Sequence, residues 1–259
     1  FNANIDNASV TAIDTITLKK KWETEVGAEP RTLAVSGEGN LWVVCRGDSE
    51  IHVLKAEDGK VLATYQLPRA SLPHGIVFSP DESNAYVTAE GSAELFKLDP
   101  SGLITGRLEL GGSPHGIAIS HDSATAYVTD FITKDRNATI HVVDLASFTK
   151  TDTINLREDT TTVDAENESR GVPNYLASIT ISPDGKHAWV PSNKLNLGRG
   201  MLRDGRALDF ESTVRPILSK IDLENNQELF EDQLDLDDRS QPNAIAFSPL
   251  GDYVYVSIQ

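Results

Sequence analysis

Apolar and polar positions along this chain fall into a unit that occurs five times: a proline, a short apolar segment, a polar turn and a second apolar segment. The copies read EPRTLAVSGEGNLWVVC, LPHGIVFSPDESNAYVT, SPHGIAISHDSATAYVT, VPNYLASITISPDGKHAWV and QPNAIAFSPLGDYVYVS. Their turn-opening serines, Ser36, Ser79, Ser120, Ser182 and Ser248, are spaced by 43, 41, 62 and 66 residues. In the second copy HGIVFS (74–79) predicts a first strand and AYVT (85–88) a second, rich in β-formers. The Ser79–Ser83 segment between them has turn chemistry: proline presets φ, and Asp and Ser bond nearby amides. AELFKL (93–98) predicts a third strand, Asp99–Gly102 a turn, and LITGRLEL (103–110) an alternating fourth strand.

The other copies follow this plan. Inner strands read as near-continuous apolar runs, as expected where neighbouring sheets cover both faces, and outer strands alternate because one side meets water. A period near 40 with this content predicts an all-β fold, a β-propeller of four-stranded antiparallel blades. The expected blades are 28–71, 72–112, 113–170 and 171–240, with 241–259 and 1–27 completing one composite blade or leaving it incomplete. Strands are expected at 9–14 and 19–26 with no first pair before them. The abrupt opening at Phe1 reads either as a mature product or as a fragment of a longer propeller.

With 259 residues, 39% apolar and 24% charged, the composition is that of a globular protein with a large core. Net charge is −16, which disfavours nucleic acid and anionic membrane and favours basic partners or cations. No run of 18 apolar residues predicts a membrane span. The single cysteine, Cys45, excludes an internal disulfide and reads as a small buried hydrophobe. The sequons at Asn7, Asn137 and Asn167 are short enough to arise by chance.

PHGIVFSPDESNAYVT and PHGIAISHDSATAYVTD closely resemble YVTN-type β-propeller repeats. That resemblance covers nearly the whole chain. It implies a bacterial or archaeal surface-layer or periplasmic location and a parent of seven blades. It implies no single activity, since the same superfamily includes scaffolds, lactonases and quinoprotein subunits. The fourth copy, with its long insertion, is similar to propellers paired with a c-type cytochrome or di-haem peroxidase-like domain. No Cys-x-x-Cys-His occurs, so haem is expected only on a partner or outside these residues.

In such a blade the entry to strand one and the loop between strands two and three share a face. Arg31, His74, His115 and Asn243, each directly after a repeat proline, are expected to ring a channel mouth, with Asn174 or Ser178 in the equivalent place of the fourth copy. These groups either bind a small anion, a metal or a partner's side chain, or simply hydrogen-bond channel water and backbone. His74 and His115 are the candidate metal ligands. His52 and His141, in third strands, are expected to pack between blades, and His121 and His187 to lie in or beside exposed turns.

Three long segments are expected on the same face: 130–138, the acidic 157–170, and an insertion at 192–214 carrying Lys194, Arg199, Arg203 and Arg206. Opposite charges on one face suggest a recognition surface, and the arginines suit carboxylates such as haem propionates. Gly198, Gly200 and Gly205 allow sharp turns, but no phosphate-loop pattern is present. Asp235, Asp237 and Asp238 are a candidate Ca²⁺ cluster without EF-hand spacing, set against the reading of a solvated outer strand. No GxSxG, HExxH or dinucleotide fingerprint occurs. The leading expectation is a non-catalytic, extracytoplasmic docking module for a protein partner or small molecule, with a redox protein in view. The alternatives are a lactonase-like or quinoprotein-like enzyme with a central metal, and a surface-layer scaffold.

Overall fold

The computed structural model describes residues 1–164, 168–198, 213–236 and 240–258. Apart from one 3-10 turn at Phe230–Asp232, every named element is a strand. The fold is a β-propeller of four-stranded antiparallel blades. The chain divides into two compact units, Phe1–Ala124 with Ala146–Phe148, and Thr125–Leu145 with Thr149–Gln259.

The first unit opens with β1 (Asn2–Asn4), β2 (Ser9–Ile13) and β3 (Lys20–Glu25), paired in that order. The strand β1 is an addition to the two the sequence pattern predicts here. β4 (Pro30–Val35), β5 (Asn40–Cys45), β6 (Glu50–Lys55) and β7 (Val61–Gln66) form one four-stranded meander. β8 (Pro73–Phe78), β9 (Ala85–Ala89), β10 (Glu94–Leu98) and β11 (Ile104–Glu109) form the next, followed by β12 (Pro114–Ile119).

The packing shows why β5 is apolar throughout. Leu41, Val43 and Cys45 point one way into a cluster with Val10 and Leu54. Trp42 and Val44 point the other way, into a cluster with Val87, Phe96 and Leu98. A strand buried on both faces has no polar side to show. The outer strands β7 and β11 instead alternate exposed and half-buried residues.

The second unit holds β13 (Thr125–Asp130), β14 (Ala138–Asp144) and β15 (Thr149–Leu156) in one antiparallel ladder. Next come β16 (Val172–Asn174), β17 (Thr180–Ile181), β18 (His187–Leu195) and β19 (Val214–Asp222), then β20 (Gln227–Glu228), β21 (Leu234–Asp235), β22 (Pro242–Phe247) and β23 (Val254–Ile258). β18 and β19 pair over nine residues each, longer than a usual blade strand, and β16 and β17 share β18 as partner. β22 and β23 form a two-stranded sheet.

One irregularity recurs. The ladder between third and fourth strands shifts register at Ala12/Ile13, Val53/Leu54, Lys97/Leu98 and Val142/Val143. Such bulges add right-handed twist, so each outer strand coils off its neighbour at the same place. A second recurring shift, Pro30/Leu33 and Pro73/Ile76, lies at the proline-led start of the first strand. Proline has no N–H to give the ladder, so the two residues after it leave the ladder register.

Candidate functional site

That break in pairing frees Arg31, Thr32, His74 and Gly75 for contacts to the next blade. The Thr32 hydroxyl donates to the His74 carbonyl. Thr88, fully buried at the end of β9, accepts from the Gly75 amide at 2.8 Å and donates to the His115 carbonyl at 2.7 Å. A Cβ on Gly75 would run into that His115 carbonyl oxygen, so the Pro-His-Gly order is a packing requirement. The second unit uses the same device: Thr129 donates to the Leu176 carbonyl at 2.9 Å, and Ser178 to the Asn243 carbonyl at 2.9 Å.

These bonds bring Arg31, His74 and His115 together at the inner ends of β4, β8 and β12. The imidazoles of His74 and His115 stack, with centroids 3.3 Å apart and planes 23° apart. Burial first, then His115, Arg31 and Arg46, push the His74 pKa down to about 2, so the ring is neutral at ordinary pH. A charge chain runs beside the stack. Glu29 meets Arg31 and Arg46 at 3.3 Å each, and Arg46 reaches Glu90 at 3.2 Å. Arg46 and Arg31 hold the Glu29 carboxyl below its usual range. Two atoms are left over: Nε of Arg31 and Nδ1 of His74 are buried with no hydrogen-bond partner.

Arg46 and Glu90 were absent from the expected site. Both are the first residue after the second strand of their blades, so aligning the repeats at that position would have found them. The stack also weakens the metal expectation for His74 and His115. Imidazole lone pairs lie in the ring plane, and stacked rings send them along near-parallel lines rather than onto one ion. Among the described residues no group of three or more His, Cys, Asp or Glu gathers in a geometry to hold a metal.

The second unit corrects the expected recognition surface. Lys194 is buried at 3% exposure, and its ammonium lies 3.1 Å from Asp159 and 3.9 Å from Asp235. Burial opposes ionisation of Asp159, but hydrogen bonds from Thr162 and Lys194 outweigh it and hold the carboxyl well below its ordinary value. Asp164 binds Arg170 at 3.0 Å and accepts from Asn196 at 2.9 Å. In the described residues, then, Lys194 of the basic insertion is neutralised by Asp159 of the acidic loop, while Asp164 pairs with Arg170 of its own loop. Lys194 lies directly across the ladder from Arg215, which is itself 2% exposed and 3.6 Å from Asp235. Asp235 therefore faces cations of its own chain. Arg199, Arg203, Arg206, Gly200, Gly205, Asp237 and Asp238 lie outside the described residues.

The remaining sites have local uses. The Asn174 carboxamide oxygen accepts from the amides of Thr133 and Tyr175, both at 2.9 Å, and pins the loop after β13. His141 is buried 3.3 Å from Asp130, and His52 pairs with Glu50 at 3.0 Å. Burial raises the Cys45 thiol to about 12, the state of an inert core cysteine.

No protein-family model and no curated protein matches the sequence. Solved structures do match. Hydrazine synthase of Kuenenia stuttgartiensis superposes with a TM-score of 0.80 at 20% identity, over 98% of this chain and 68% of that one. Virginiamycin B lyase from Staphylococcus aureus, as a catalytically inactive variant with quinupristin, gives 0.64 at 15%, over 98% and 71%. The dihydro-heme d1 dehydrogenase NirN in complex with DHE gives 0.60 at 18%, over 96% of this chain and 47% of that one. At such identities the likeness is one of fold: the chain has the blade architecture of β-propellers that carry quite different chemistries.

Proposed function

We propose that this propeller is a non-catalytic binding module, and that it takes a carboxylate-bearing ligand or partner group at the inner ends of β4, β8 and β12. One observation carries the reading: the buried, unpartnered Arg31 Nε and His74 Nδ1, with Arg46 joined to Arg31 through Glu29. An arginine Nε–H only donates, and a buried donor without an acceptor costs about 1–3 kcal/mol. An anion seated there would accept from it and offset the charges of Arg31 and Arg46 that, after burial and His115, lower the His74 pKa. The depressed His74 also argues against an enzyme using it as general base, because a group that ionises near 2 takes up a proton poorly at neutral pH.

A haem-bearing redox partner suits this site through its propionates, and the fold is shared with a dihydro-haem dehydrogenase. An extracytoplasmic setting fits that partner. No helix among the described residues is long and apolar enough to cross a membrane. The test is a titration with succinate and with a soluble c-type cytochrome, read from the ring nitrogen signals of His74. Both ligands should shift those signals, and Arg31→Gln should weaken binding about 10-fold. Unmoved signals with both probes would refute the carboxylate reading.

A further inference from the structure

On the side of the first unit opposite those strand starts, the turns between first and second strands, together with Pro100 of the turn between β10 and β11, border a small crevice of about 260 Å³. Its walls are Trp42, Phe78 and Pro100, and its rim is Gly37, Glu38 and Glu82. Trp42 is only 3% exposed, covered by Tyr65 at 5.1 Å and by Phe78 at 5.2 Å, edge-to-face at 84°, so the half-buried Phe78 is the ring left at the crevice surface. We propose that this crevice is a cation site, built for a compact ammonium head: a quaternary or primary amine, free or at the end of a lysine side chain.

Several observations support it independently of the carboxylate site. An aromatic wall such as Phe78 attracts a cation through its ring quadrupole, and most strongly where water is partly excluded. Glu38 and Glu82 are exposed, and neither has a cationic partner among the described residues; the Glu38 carboxylate accepts from the Asn40 carboxamide at 3.3 Å. The geometry of the rim is also specific. Glu82 holds a left-handed φ of 60°, and its carboxylate lies where a Cβ on residue 37 would stand, so Gly37 leaves room for it. The field of the rim reaches the aromatic cluster, since after burial it is Asp99 and Glu38 that raise the Tyr65 pKa. The volume of about 260 Å³, just under the range of drug-sized pockets, is room enough for a small ammonium head group. The net charge of −16 adds long-range attraction for cations but cannot by itself choose this spot.

Calorimetric titration of the whole chain with choline, with its neutral isostere 3,3-dimethylbutan-1-ol, and with a short peptide carrying trimethyllysine tests this. Choline or the peptide should bind at least about 10-fold tighter than the alcohol, and the tighter of the two identifies a free amine or a protein side chain as the source. Glu38→Gln with Glu82→Gln should weaken binding about 10-fold, while Asp6→Asn with Glu109→Gln, removing the same charge elsewhere, should leave it within about 2-fold. Phe78→Leu should weaken it as well, and the glutamate pair decides between the outcomes if that variant folds poorly. Equal binding of the alcohol, equal loss in both charge pairs, or no saturation by about 50 mM of either cation would overturn the site.

Discussion

Glu228 makes the sharpest test of the electrostatics. It follows Gln227 in β20, and its Oε2 accepts from the Arg157 amide at 2.8 Å at the exit of β15, joining two outer strands of the second unit. Its Oε1 is buried with no hydrogen-bond partner. Burial pushes its pKa from an ordinary 4.5 up to about 7, against the opposing pull of the Arg157 amide and charge. The other charges in this region are Asp152, Glu231, and Lys220 paired with Asp232. Because the folded state holds the proton more tightly, stability is greatest below 4.5 and falls as pH rises toward 7. The interval between those two values corresponds to roughly 3 kcal/mol, most of which falls between pH 5 and pH 8. Glu228→Gln keeps the acceptor for the Arg157 amide and removes the titration. Urea midpoints measured from pH 5 to pH 8 should therefore show the variant gaining about 2 kcal/mol on the parent across that range, with any constant offset from the substitution cancelling. Parallel curves for the two proteins would show that this carboxyl titrates as though it were in water.

Three further outcomes are expected. Thr88→Val keeps the shape but strands the Gly75 amide and removes the hydroxyl donor to the His115 carbonyl; it should cost about 1–3 kcal/mol in urea denaturation and speed exchange of the Gly75 amide. Lys194→Met leaves Asp159 buried without its cation and should cost about 3–5 kcal/mol, with Asp159→Asn restoring part of the loss. That pair's contribution is complete above 3.8, the ordinary value of Asp159, and fades as pH falls, so parent and variant should converge in acid. Cys45 should resist a disulfide reagent at pH 8 in the native protein and react fully in denaturant.

The strands and turns were legible because their signals are local. Serine-led turns, β-branched runs and alternating outer strands each act within a few residues, so the plan of β4–β11 follows from the pattern alone. Residues 2–4 have no such pattern, since Asn-Ala-Asn is a poor strand former, and β1 exists because β2 offers it a ladder. Pro-His-Gly marked a special position, but its reason, the close approach of the next blade's carbonyl, depends on a residue 40 places away. Arg46 and Glu90 carried a signal only in their shared place after the second strand.

By itself the sequence determined a chain of repeated small sheets, buried on both sides along the inner strands, acidic outside, with polar residues after each proline. These follow from short-range sterics and from the apolar pattern. Only the tertiary structure decided which charges meet. Lys194 and Asp159 are 35 residues apart, and a reading of composition assigns them to opposite patches. The antiparallel register of β18 and β19 and the return of the acidic loop bury them together instead. Desolvating either charge alone is costly, so the fold that hides one must hide its partner beside it, and no local pattern encodes that pairing.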